Sequence, residues 1–200
     1  RGLGDVYKRQ INNDESSIIT KKISGYADSS PDSVAIYFDD REITYRELID
    51  GANQYSHWFL DNGLQKGDVV ALLMENRPEF LMAWIGIAQV GGTTALINTN
   101  LTGHPLNHSL SISGASKVIL GEELLENFQT TNDFIKSSFQ VWIEGGNNNS
   151  EYNNLNESLK KLGITMPNID YDVTNQDVAL YIYTSGTTGD PKAATITHRR

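Results

Sequence analysis

The sequence predicts an α/β fold in which helices flank a layered, mostly parallel β-sheet. Two observations lead to this prediction. Short apolar runs typical of buried strands alternate with longer runs of helical spacing, and turn residues separate them, as in successive βαβ units. The chain of 200 residues is 38% apolar, so it is long enough and apolar enough to bury a substantial core.

The first predicted elements form a hairpin and a capped helix. "VAIYF", from Val34, is a β-rich run, and "DDREITY" is typical of a turn followed by a return strand. Thr44 precedes Glu47 by three residues, the spacing of a capping box, which predicts that a helix begins there. Apolar residues then recur at helical spacing until "DNG" at residues 61–63 predicts the end of the helix.

The following elements alternate regularly between strand and helix. Pro78 opens an apolar helix with Glu79 in its first turn, where a negative charge is favourable. Strands are predicted at "GDVVALLM", "TTALIN", "KVILG" and "QVWIEG". Helices are predicted at "HPLNHSLSISG", closed by Gly114, and at "EELLENF" and "NLNESLKKLG". The Asn-rich stretch "GNNNSEYNN" is predicted to be a solvated loop.

An uncharged stretch at residues 80–97, "FLMAWIGIAQVGGTTALI", raises the question of a membrane span. Gln89 and the pair Gly91–Gly92 interrupt it, so a buried helix followed by a buried strand is the better interpretation. The opening decamer, "RGLGDVYKRQ", has no apolar segment typical of a secretory signal. Because it also lacks periodicity, we treat residues 1–10 as a non-native leader.

Charge and composition narrow the classes of function. The formal net charge is −9 and the lysines and arginines are scattered, which argues against a nucleic-acid partner. The sequence contains no cysteine, which excludes disulfides, thiolate metal sites and a cysteine nucleophile.

The decapeptide "YTSGTTGDPK", from Tyr183 to Lys192, has the composition of a phosphate-binding loop. It follows an apolar strand, at whose carboxyl end ligands bind in open α/β sheets. Its glycines allow close approach of an anion, its hydroxyls donate hydrogen bonds and its lysine adds a positive charge. A Walker A loop is excluded because proline precedes the lysine and alanine follows it. The predicted polyphosphate-binding residues are Tyr183, Thr184, Ser185, Gly186, Thr187, Thr188, Gly189 and Lys192.

This decapeptide resembles the signature [YF]-T-[ST]-G-[ST]-T-G-x-P-K of the adenylate-forming (AMP-binding) superfamily. Residues 76–121, with "NRPEF" and "ALINTNLTGHPLNHSL", are similar to the branch of very-long-chain acyl-CoA synthetases and fatty acid transport proteins. Asp190 departs from the apolar residue usual at the variable position. The resemblance implies that residues 11–200 are the N-terminal part of an adenylation domain, incomplete because the chain ends just after the phosphate loop. We therefore expect a fragment without turnover of its own.

The resemblance also implies a reaction and its participants. A fatty acid attacks ATP to give acyl-AMP and pyrophosphate, and coenzyme A then displaces AMP. Lys192 would neutralise phosphate charge during this step, and Thr184 or Thr188 would contact Mg²⁺. His198 and Arg199 match the end of the family block, and a minority interpretation has them facing the ligand cleft. The expected location is the cytoplasm or the cytoplasmic face of a membrane, held peripherally.

Three alternatives stay open. The enzyme would activate another acid, such as a bile acid or a carnitine-like substrate, if its acyl pocket has a different shape. A protein of a different class would take up fatty acids at a membrane without forming the thioester. A nucleotide-binding module without chemistry is the third interpretation.

Overall fold

The structure is a computed structural model that describes residues 18–146, 152–184 and 192–199, with only the backbone of Thr184 and Lys192. Within these residues the strands are β1 (Val34–Phe38), β2 (Arg41–Thr44), β3 (Val69–Leu73), β4 (Thr93–Leu96), β5 (Lys117–Gly121), β6 (Gln140–Glu144), β7 (Asn153–Asn154), β8 (Val178–Thr184) and β9 (Lys192–Thr197). The helices are α1 (Ile19–Ser29), α2 (Tyr45–Asp61), α3 (Pro78–Gln89), α4 (Gly103–Ser111), α5 (Leu125–Gln129), α6 (Asp133–Ser138) and α7 (Asn156–Leu159), and a 3₁₀ turn covers Glu122–Leu124.

The strands form a short hairpin and one large sheet. β1 and β2 pair antiparallel, apart from the rest. The large sheet has the order β7-β6-β5-β3-β4-β8-β9, and every neighbouring pair in it is parallel except β8 and β9. The predicted α/β fold with a mostly parallel sheet and flanking helices is confirmed.

Both faces of the sheet are covered, which explains why the central strands are continuously apolar. Because side chains alternate across a strand, Val70 and Leu72 of β3 pack against one core and Ala71 and Leu73 against another. The first core lies under α2 and α3, and the second under α4, α5 and α6. Leu72 and Leu73 are both essentially inaccessible to solvent.

The capping box predicted at the start of α2 is present. The backbone N–H of Glu47 donates to the Thr44 hydroxyl at 3.2 Å, and the backbone N–H of Thr44 donates to the Glu47 carboxylate at 2.8 Å. The helix buries Trp58, whose ring meets Trp142 of β6 edge to face at 4.8 Å between centroids. Trp58 and Trp142 therefore anchor this core.

Helices α2 and α3 approach closely at Gly86. A side chain at this position would lie 2.6 Å from Cβ of Tyr55 and 2.8 Å from the carbonyl oxygen of Ala52. A buried polar group adds to this contact, because the Ser56 hydroxyl lies 3.0 Å from the carbonyl of Gly86 and 2.8 Å from Oε1 of Gln89. The two helices therefore pack closely as one layer on this face of the sheet.

Several elements differ from the sequence prediction. Helices α1 and α6 were not predicted, and "NLNESLKKLG" forms only the single turn α7. The Asn-rich stretch was predicted to be a loop, but Asn153–Asn154 adds to the sheet edge as β7 beside β6. Residues 80–97 form α3 and β4, as predicted, and no helix in the described ranges is long and apolar enough to cross a membrane.

Candidate functional site

The sheet brings the predicted phosphate loop to its carboxyl edge. β8 runs parallel to β4, with Leu180 opposite Thr94, so both strands end at the same edge as β3, β5 and β6. β9 returns antiparallel, and Thr184 lies opposite Lys192 in the ladder. Thr184 and Lys192, the two ends of the predicted loop, therefore lie side by side at the edge where open α/β sheets bind ligands.

The predicted binding residues are described to different extents. Tyr183 is described completely, and Thr184 and Lys192 are described by their backbone, at the two ends of the loop. Outside the described residues lie Ser185, Gly186, Thr187, Thr188 and Gly189, together with the side chains of Thr184 and Lys192. Their roles in binding phosphate or Mg²⁺ stay predictions.

Tyr183 is partly buried immediately before the loop. Its ring and that of Tyr181 pack against the core that α4 covers. The hydroxyl is buried and has no hydrogen-bond partner among the described residues. Burial, with a smaller contribution from Tyr181, raises the pKa of Tyr183 to about 12. The hydroxyl is therefore protonated at neutral pH and keeps its hydrogen-bond donor.

A hollow of about 330 Å³ lies beside Tyr183 at this edge. It is lined by residues 74–76 after β3, residues 96–99 at the end of β4, Phe80, Ile182 and Tyr183. The wall after β4 is a tight turn, since the backbone N–H of Asn100 donates to Oδ1 of Asn98 at 2.9 Å. The stretch "NTNL", residues 98–101, is thus a structural turn, and its first two residues line the hollow.

An ion cluster centred on Arg77 occupies the neighbouring part of the edge. Arg77 immediately precedes α3, and its guanidinium lies 3.2 Å from the carboxylate of Glu79 and 3.4 Å from that of Glu123. It also forms an ion pair with the carboxylate of Glu144 and donates to the Glu144 carbonyl at 3.2 Å. Arg41 adds a second cation, 2.9 Å from Glu79.

Burial and charge shift the pKa values in this cluster. Burial raises the pKa of Glu144 above its ordinary value, and Arg77 opposes this shift without cancelling it. Burial also acts to lower the pKa of Arg77, but the carboxylates of Glu144, Glu123 and Glu79 outweigh it and raise the pKa overall. The Glu144 side chain is 6% exposed, so its ionised form depends on the guanidinium for compensation.

The Arg77 cluster lies where the connections of the sheet diverge. The chain leaves β3 through α3 toward β4 on one side, and it leaves β5 toward β6 on the other side. Because β3 and β5 are adjacent and parallel, the crevice between their carboxyl ends is a topological switch point. Arg77 and Glu123 lie on the two diverging connections.

His198 and Arg199 lie at the other end of the strands from the predicted loop, where β8 begins. The backbone N–H of His198 donates to the carbonyl of Asp177 at 3.1 Å, and that of Arg199 donates to Asn175 at 2.9 Å. Both contacts are at the amino end of β8. Since a strand rises about 3.3–3.4 Å per residue, this end lies about 20 Å from Thr184. The interpretation that placed these two residues in the ligand cleft is therefore wrong for this structure.

The matching family model is that of the AMP-binding enzyme, and it covers residues 24–200. The chain belongs to the AMP-binding enzyme family. The resemblance identified from "YTSGTTGDPK" is thus confirmed, and the long-chain fatty acid transport proteins among the relatives of the chain confirm the branch identified from residues 76–121.

Curated relatives of this AMP-binding enzyme include long-chain fatty acid transport proteins. Long-chain fatty acid transport protein 1 of Bos taurus is 37% identical over 161 residues, which are 78% of this chain and 25% of that protein. Long-chain fatty acid transport protein 6 of Mus musculus is 30% identical over 181 residues, which are 89% of this chain and 29% of that protein. The chain thus spans between a quarter and a third of the length of these relatives.

Solved structures share the fold of this chain. A fatty acyl CoA synthetase of Mycobacterium tuberculosis matches with a TM-score of 0.77 and 27% identity, over 92% of this chain and 35% of that chain. An anthranilate CoA ligase in complex with anthranoyl-AMP matches with a TM-score of 0.83 over 92% of this chain and 35% of that one. Its sequence is 22% identical, so this second likeness concerns the fold alone.

The Arg77 cluster of this AMP-binding enzyme was not found from the sequence. Its members lie in three separate stretches, "MENRPEF", "GEELL" and "WIEG". Of these residues, the sequence pattern indicated only Glu79, as a favourable charge at the start of a helix. One signal was available, because each of these stretches lies at or just after the end of a predicted parallel strand. Charged residues at several such ends meet at one edge of the sheet.

Proposed function

We propose that the intact protein is an ATP-dependent fatty acyl-CoA synthetase. It would join a long or very long fatty acid to AMP, release pyrophosphate, and then form the thioester with coenzyme A. The observation that carries the proposal is the pairing of Thr184 with Lys192 at the carboxyl edge of the sheet, next to Tyr183, which lines a hollow there. Support also comes from membership in the AMP-binding enzyme family and from relatives named for long-chain fatty acids.

Each residue of the loop would have a defined role. Lys192 would place its ammonium against the β and γ phosphates of ATP, and the backbone amides of residues 185–189 would donate to the same oxygens. Mg²⁺ would neutralise phosphate charge, with the hydroxyl of Thr184 or Thr188 as the ligand from this chain. The described residues contain no group of three or more His, Asp or Glu side chains suited to hold a metal ion.

The proposal includes the organisation and location of the protein. Residues 11–200 would be the N-terminal part of the adenylation domain, and residues 1–10 would lie outside it. Because the relatives extend well beyond the matched part, we expect turnover to need the intact protein. It would work in the cytoplasm or held peripherally on the cytoplasmic face of a membrane.

The test is pyrophosphate exchange by the intact protein with fatty acids of increasing chain length. Lys192→Ala is expected to lower kcat about 100-fold or more, the usual effect of losing one group that stabilises developing charge. Lys160→Ala is the matched control, because this lysine is 71% exposed and pairs only with Glu157 in the described structure. An exchange rate that stays unchanged in Lys192→Ala would refute the proposed role of the loop lysine.

Fatty acid uptake is the second candidate, since the relatives are named as transport proteins. Cellular uptake and thioester formation should be measured in parallel for the wild type and for Lys192→Ala. A synthetase that drives uptake by trapping the thioester loses both activities in the variant. If uptake persists while the thioester disappears, transport is the primary function.

A further inference from the structure

The Arg77 guanidinium connects three separate segments of the carboxyl edge. It precedes α3 in the connection after β3, and it binds the carboxylate of Glu123 after β5 and both the carboxylate and the carbonyl of Glu144 at the end of β6. With 17% of its side chain exposed, it lies within the edge and not on the outer surface. One side chain therefore links the ends of three neighbouring strands.

Glu123 strengthens this link through the backbone. Its other carboxylate oxygen accepts the backbone N–H of Glu75 at 2.9 Å. Gly121 has no side chain, and a Cβ there would occupy the place of the Glu123 carboxylate. Glu123 is thus held against β5 while it binds the segment after β3 at two points, the amide of Glu75 and the guanidinium of Arg77.

The segment held in this way is a wall of the hollow beside Tyr183. Glu75 and Asn76 line the hollow, and Tyr183 of β8 lines it as well. We propose that Arg77 is a positioning residue for the reaction at this hollow, because it fixes the wall at residues 74–76 relative to the ends of β5 and β6. This inference rests on the proposed synthetase function for its catalytic consequence.

The obvious rival is that Arg77 only stabilises the fold. Its removal leaves the buried Glu144 carboxylate without compensation, which by itself lowers stability. The two roles separate in the double variant Arg77→Met/Glu144→Gln. This variant removes the guanidinium together with the buried charge, so it recovers stability but does not restore the link between β3, β5 and β6.

The experiment measures kcat and KM for ATP in pyrophosphate exchange by the intact protein. The double variant is expected to unfold like the wild type yet to lose about 10- to 100-fold in kcat, since a displacement of about 1 Å at a reacting site costs up to 10²-fold. KM for ATP is expected to change less than threefold, because Arg77 does not belong to the predicted phosphate loop. Arg41→Met is the control, because Arg41 contacts Glu79 but neither Glu123 nor Glu144. If the double variant recovers both stability and kcat, the positioning role is refuted.

Hydrogen exchange gives a readout that does not depend on activity. In the double variant the amide of Glu75 is expected to exchange at least tenfold faster than in the wild type, while the amides of β3 keep their protection. Equal exchange at Glu75 in the two proteins would overturn the inference. If the intact wild type exchanges pyrophosphate with no acid, the proposed function fails, and the exchange rate at Glu75 still decides whether Arg77 holds this wall.

Discussion

Replacing Gly86 by alanine is expected to destabilise the protein, because α2 and α3 meet at this glycine. The new Cβ would lie 2.6 Å from Tyr55 Cβ and 2.8 Å from the Ala52 carbonyl, whereas ordinary contacts begin at 3.4 Å. The helices would therefore separate by roughly 0.6–0.8 Å. Overpacking of this kind costs about 1–3 kcal/mol, and the better helix propensity of alanine returns up to about 1 kcal/mol.

Taking about 2 kcal/mol, the middle of the overpacking range, and subtracting up to about 1 kcal/mol for helix propensity leaves a net loss of about 1–2 kcal/mol in the free energy of unfolding. At about 2–4 °C per kcal/mol for a chain of this size, Tm should fall by about 2–8 °C in thermal unfolding followed by circular dichroism. The Ser56 hydroxyl, 3.0 Å from the Gly86 carbonyl, should lose part of its hydrogen bonding as the helices separate. The layer of α2 and α3 would loosen as a unit.

Two other helical glycines provide matched controls for the same substitution. Gly25 of α1 has no atom within 4 Å of the position that an alanine Cβ would take, so Gly25→Ala should raise stability by up to about 1 kcal/mol. Gly51 of α2 faces the flexible thioether of Met82 at 2.5 Å, so Gly51→Ala should fall between the other two. If Gly86→Ala is as stable as Gly25→Ala, the close approach of α2 and α3 is not real.

Two further substitutions test the capping box and the ion cluster. Thr44→Ala should lower the free energy of unfolding by about 1 kcal/mol in urea titration, because the Glu47 amide loses its acceptor, and an unchanged midpoint would contradict the cap. Arg77→Met should lower stability by about 3–5 kcal/mol at neutral pH, because Glu144 stays buried without its cation. Burial already raises the pKa of Glu144 in the wild type, and the loss of Arg77 raises it further. The deficit should therefore grow as pH rises through the raised pKa of Glu144 in the wild type and shrink in acid, where Glu144 is protonated in both proteins. A deficit independent of pH would exclude Glu144 as its source.

Local patterns were sufficient to predict most of the sheet and its helices. β3 and β5 are continuous apolar runs because both faces of the sheet are covered, and α2 begins where the Thr44 capping box predicts. Helices α1 and α6 were missed, and α6 is only six residues long. The antiparallel direction of β9 was not predicted either, since the run "KAATIT" contains no information about the strand beside which it pairs.

The candidate site was predictable only in its local part. The loop was identified from ten consecutive residues, "YTSGTTGDPK". The Arg77 cluster escaped because its contacts join residues far apart in sequence, Arg77 to Glu123 and to Glu144. Such contacts depend on which strands are neighbours, and no local pattern in the sequence encodes the order β6-β5-β3-β4-β8. The minority interpretation of His198 failed for the same reason, because the direction of β9 decides at which end of the strands this residue lies.

β8 lies far after its neighbour β4 in the sequence, which has a consequence for folding during synthesis. Thr94 of β4 pairs with Leu180, which follows it 86 residues later in the sequence. During synthesis β4 therefore lacks its neighbour on this side until β8 has been made. Because β8 comes after β3, β4 and β5 in the sequence, it can add to the sheet during synthesis only after those strands have been made. A newly made chain that has not yet reached Val178 would therefore expose the unpaired backbone of β4, which favours pairing with other chains.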